Sequence, residues 1–139
     1  MHTSFFKEEK HLVEIWCDLF GIKYDNEYPK IYLSKREIKN YTEGMQFDKP
    51  VLLMQTNGGF DANKKYGWAR DLPSCLVNDV IEEFKETHTI LHVKREDQIS
   101  YQNTIAVTTD FRRICAIALL SERRLVMDSF LQHTLAAFG

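Results

Sequence analysis

The run Val51-Leu52-Leu53-Met54-Gln55, set between Pro50 and the turn cluster Asn57-Gly58-Gly59, leaves this chain little choice of architecture. Four consecutive apolar residues are too short a run for a helix and show no alternation, so they predict a strand buried on both faces. Such strands belong to parallel sheets covered by helices on both sides. Short runs at Thr89-Ile90-Leu91-His92-Val93, Thr104-Ile105-Ala106-Val107 and Leu125-Val126-Met127 repeat the signal.

Helical patterns lie before and between them. Leu12, Ile15, Trp16 and Leu19 keep the spacing of one helix face in a helix expected from Phe5 to Phe20, with Gly21 placed to end it. Ser34 and Glu37 form a capping-box pattern that opens a helix from Lys35 to about Thr42. Asp71-Leu72-Pro73 opens another, with Leu76, Val77, Val80, Ile81 and Phe84 as its buried stripe. Thr108-Thr109-Asp110 caps a helix through Phe111, Ile114, Cys115, Ile117 and Ala118, and Asp128-Ser129 caps the last one.

Strands alternating with helices give a βαβαβαβ order. Right-handed crossovers then make a three-layer, doubly wound, Rossmann-like parallel sheet of about four strands the simplest α/β arrangement. A helical and linker segment, residues 1–49, is expected to pack on a domain formed by residues 50–139. If the strands lie in the order 3-2-1-4, the connections leaving the first and fourth strands diverge and open a crevice at their carboxyl ends.

Two loops flank that crevice. The loop from Thr56 to Trp68 carries a hydroxyl at Thr56, Asn57, the glycines Gly58 and Gly59, and the basic pair Lys64-Lys65, with Arg70 just beyond. Freed backbone N–H groups beside ammonium groups suit a phosphate or diphosphate. Taken alone, an ordinary glycine turn with solvated lysines explains this loop better. The closing turn, Asp128-Ser129-Phe130, points helix N–H groups at the space above the fourth strand, and Asp128 reads equally well as a simple cap. His133 reads evenly as a histidine packed on the sheet or one lining a ligand site. The charged run Lys94-Arg95-Glu96-Asp97 is most simply surface.

A formal net charge of -2 gives no general attraction to nucleic acid. No apolar run approaches the roughly 20 residues of a membrane span, and no signal-peptide pattern opens the chain, which points to a cytoplasmic protein. Cys17, Cys75 and Cys115 are too far apart for a zinc site or redox dithiol and read as small core residues; Cys75 as a hydrolase nucleophile is the weaker alternative. No carboxylate cluster with metal-ligand spacing occurs, and neither metal nor cofactor is expected.

At these residues the sequence resembles the C-terminal domain of a GT-B glycosyltransferase of the ADP-heptose:lipopolysaccharide heptosyltransferase family. The resemblance spans nearly the whole chain. It rests on His11-Leu12-Val13-Glu14, the strand and glycine loop from Val51 to Gly59, the Lys65-x-x-Trp68 element leading into Pro73, and Asp128-Ser129 followed by His133 and Ala136-Ala137. It implies half of a GT-B fold that binds a nucleotide diphosphate-sugar, an ADP-sugar by family. Thr56 and Lys65 would then lie near the diphosphate, Asp128 and the amides after it near the phosphates or sugar, and His133 in the helix lining the donor site, with Asn57, Gly58 and Ser129 also counted as donor-binding.

Phe130 stands where the family pattern has glycine. By resemblance the acceptor site and usual catalytic carboxylate belong to an N-terminal domain, so no catalytic residue is assigned. The chain is then expected to be an incomplete donor-binding portion, inactive alone, with a free sheet edge or apolar face that favours self-association. The alternative is a non-catalytic α/β module that binds a nucleotide or another protein.

Overall fold

The computed structural model describes residues 10, 12–25, 29–58 and 70–138. In chain order these form α1 (Leu12–Phe20), α2 (Lys35–Thr42), β1 (Val51–Met54), α3 (Ser74–Phe84), β2 (Thr89–Val93), β3 (Ile105–Val107), α4 (Phe111–Leu120), β4 (Ser121–Leu125) and α5 (Phe130–Ala136). The strands pair in the order β3-β2-β1-β4, and every pairing is parallel. This is the doubly wound α/β sheet that the buried apolar runs imply, in the 3-2-1-4 order.

Alternation along β1 and β2 divides the core. Val51, Leu53, Leu91 and Val93 face Ile114, Ile117 and Ala118 of α4 and Leu131 of α5. Leu52, Met54 and Ile90 face Val77 and Ile81 of α3. Leu53, Met54, Val77 and Ile117 are fully buried, and each such side chain contributes roughly 1.5–3 kcal/mol. Because α3 follows β1 on one face and α5 follows β4 on the other, the connections leaving these two neighbouring strands diverge.

Local signals account for most helix ends. Gly21, at φ 64°, closes α1 in a Schellman motif: Ile22 N–H donates to the Cys17 carbonyl at 2.8 Å and Gly21 N–H to that of Asp18 at 3.3 Å. Ser34 and Glu37 complete the capping box of α2. Arg112 of α4 reaches back to the Glu37 carboxylate and donates to the Tyr32 carbonyl at 3.1 Å, which docks α2 on α4. The Ser34 backbone N–H first, then Arg112, hold the Glu37 carboxyl down at about 2.

Several expectations are corrected. The fourth strand is Ser121–Leu125, not Leu125 to Met127, because backbone pairing along an edge needs no apolar side chains; Arg123 and Arg124 sit exposed within it. No helix separates β2 from β3: residues 94–104 lack an apolar helical stripe and form turns, with Asn103 at φ 59°. The third helix begins at Ser74, since Asp71 is engaged in accepting a hydrogen bond from Gly58 N–H at 3.0 Å. Of the cysteines only Cys115 is a core residue; Cys75 is exposed and Cys17 half-buried. In α1, Ile15 is buried whereas Leu12, Trp16 and Leu19 are exposed. Residues 5–9 and 11, expected to begin that helix, lie outside the described residues.

Candidate functional site

Above the carboxyl ends of the strands lies a cleft of about 490 Å³. Val93, Val107 and Ile114 form its apolar floor. Gln55, Asn57, Gly58 and Arg70 approach from the connection after β1, Lys94, Arg95 and Gln98 from that after β2, and Thr108 and Thr109 from that after β3. Ser129 and Phe130 close the side next to α5. Every wall therefore comes from a segment leaving the same end of the sheet, where open α/β sheets bind ligands.

The connection after β1 is pinned at both ends. Leu72 N–H donates to the Thr56 carbonyl at 2.8 Å, and Gly58 N–H donates to Asp71. Arg70 donates from its guanidinium to the Asp128 carbonyl, tying this connection to the turn before α5. Ser129 caps α5 by accepting from Leu131 N–H at 3.3 Å, while its hydroxyl donates to Gln55 Oε1 at 2.6 Å. The β1 and β4 sides of the crevice are thus joined by a buried side-chain hydrogen bond.

Thr56 is held from below. Its hydroxyl donates to Asn57 Oδ1 at 3.0 Å and lies 2.9 Å from His92 Nε2. With its proton given to Asn57, Thr56 Oγ1 accepts from the imidazole, which places the His92 proton on Nε2 and leaves Nδ1 without a hydrogen-bond partner among the described residues. Burial first, then the charge of Lys94, lower the His92 pKa to about 4, so the ring is neutral.

The cleft is cationic at its rim and apolar at its base. Arg95 is offset by a bidentate pairing to Asp97 at 3.0 and 3.1 Å. Arg70 and Lys94 make no ion pair among the described residues. Two available cations and an apolar floor fit an amphipathic anion.

Of the residues expected to bind a donor, Asn57, Gly58 and Ser129 line this cleft. Thr56 is buried beside it and committed to His92 and Asn57. Asp128 contributes its backbone carbonyl to Arg70. His133 is exposed on α5 and does not line the cleft, and Lys65 lies outside the described residues. Lys94 and Arg95, read from sequence as plain surface, are rim residues; their position directly after the carboxyl end of β2 was the available signal. Among the described residues no His, Cys, Asp and Glu group could hold a metal ion, and no helix is long and apolar enough to cross a membrane. No family model matches this chain, and no curated protein or solved structure matches it either.

Proposed function

We propose that this chain is the donor-binding portion of a heptosyltransferase-like glycosyltransferase, with a nucleotide diphosphate-sugar as its ligand and the cytoplasm as its setting. The observation that supports this reading best is the amphipathic cleft at the diverging connections of β1 and β4, with Arg70 and Lys94 at its rim. In sugar transfer an acceptor hydroxyl attacks the anomeric carbon, the bond from that carbon to the diphosphate oxygen breaks, and negative charge grows on the departing diphosphate. Fixed cations lower the barrier by meeting that charge. Arg70 and Lys94 have this role, with Gly58 letting Arg70 approach closely enough to stand at the rim and Lys65 adding to them as the resemblance implies. The base that takes the acceptor proton belongs to another domain, so the chain binds donor without turning it over.

Calorimetric titration with ADP-, UDP- and GDP-sugars tests this. Binding at about 1 mM or tighter, weakened by Arg70→Gln and by Lys94→Gln, is the expected result. Failure of every nucleotide sugar to bind overturns it. A second reading, a non-catalytic module that docks another protein, draws on the exposed Leu12, Trp16, Leu19 and Phe20 of α1.

A further inference from the structure

Phe111 and Phe130, the first residues of α4 and α5, stand with ring centroids 6.2 Å apart and planes tilted by 55°. They are 45% and 49% exposed. The strand order brings the starts of these two helices together, and Phe130 also forms the cleft wall. Paired aromatic rings left open beside an apolar floor and a cationic rim offer a surface for a flat, weakly polar group attached to an anion.

We infer that Phe130 stacks on the base of a bound nucleotide, with Phe111 bracing its ring, and that the diphosphate points toward Arg70 and Lys94. The inference rests on the reading of the cleft as a nucleotide diphosphate site. The apolar floor of Val93, Val107 and Ile114 suits the face of a flat base better than a sugar ring, whose hydroxyls it leaves unpaired. A base meets the floor and Phe130 with its faces, while Gln98, Thr108 and Thr109 provide hydrogen-bonding groups for its edge. Stacking tolerates any base, so purine and pyrimidine nucleotides are both accepted. In the resembled family pattern glycine occupies the Phe130 position, and the aromatic wall is a property of this chain.

The test is titration of the full chain with ADP, UDP and inorganic pyrophosphate, for the wild type, Phe130→Ala, Phe130→Tyr, Phe111→Ala and Arg70→Gln. Phe130→Ala is expected to weaken ADP and UDP about tenfold, to leave pyrophosphate affinity unchanged, and to be rescued by the tyrosine variant; Phe111→Ala gives a smaller loss of the same selectivity. Unchanged ADP affinity in Phe130→Ala, with Arg70→Gln still weakening it, overturns the stacking role and leaves the diphosphate site standing. Equal loss of pyrophosphate and ADP also overturns it, since Phe130 would then shape the phosphate seat. If the wild type binds none of the three probes, the stacking role and the diphosphate reading fall together.

Discussion

Gly58 lies against Arg70 so closely that a Cβ on the glycine would stand 2.5 Å from the Arg70 carbonyl oxygen and nearer still to its Cβ. Backbone there cannot step aside, because Gly58 N–H is held by Asp71 and Leu72 N–H by Thr56. The glycine therefore lets the two ends of the β1–α3 connection meet and sets Arg70 at the cleft.

Gly58→Ala is accordingly expected to cost roughly 1–3 kcal/mol of stability through overpacking and to displace Arg70 from the Asp128 carbonyl. Urea unfolding measures the first effect and nucleotide titration the second. An alanine variant equal to the wild type in both would show that the connection has slack the close approach denies.

The Gly58 contact also marks where sequence reading succeeded and where it stopped. The buried runs at Val51 and Thr89 define their strands because the centre of a parallel sheet covered on both faces favours apolar residues, and Ser34 with Glu37 announces α2 because both cap bonds are local. The β4 edge was not legible from Ser121-Glu122-Arg123-Arg124-Leu125: a strand open to water on one side is selected by backbone pairing and tolerates charge. Lys94 and Arg95 look like plain surface in the sequence for a related reason. Their meaning comes from lying beside Arg70 and Thr108, residues remote in sequence that only the strand order collects. The sequence places Thr56 in the loop that builds the site, but its burial against His92 depends on the β1–β2 register, in which Met54 pairs with His92.

His92 makes native stability depend on pH. Burial and Lys94 depress its pKa to about 4 from an ordinary 6.5. Between these values the unfolded chain takes up a proton that the native ring refuses, so stability falls as pH drops from about 6.5 toward 4, and no further below it, where both states hold the proton. The loss approaches roughly 3 kcal/mol over that window. Glu37 adds a lower window: its carboxyl is held near 2 against a usual 4.5, so its contribution is present above 4.5 and fades toward 2. Urea midpoints collected from pH 7 to pH 3 should therefore fall in two stages, and His92→Gln should flatten the upper one alone. An upper stage that survives in His92→Gln would assign the slope to another group.

Helix α1 spans nine residues, a length at which helices are marginal without packing, yet it presents Leu12, Trp16, Leu19 and Phe20 at 48%, 58%, 56% and 75% exposure. The Lys10–Asp18 ion pair at 2.8 Å joins two exposed side chains and adds little. An apolar stripe of this kind is stabilised when a second surface covers it, each large side chain contributing roughly 1.5–3 kcal/mol. A second copy of the chain is the partner always present in a purified sample, so sedimentation velocity is expected to show concentration-dependent association. Trp16→Lys combined with Phe20→Lys should weaken it at least about tenfold, the equivalent of about 1.4 kcal/mol, without altering nucleotide binding, since neither residue lines the cleft. A wild type that sediments as one monomeric species at every concentration would remove self-association as the role of this face.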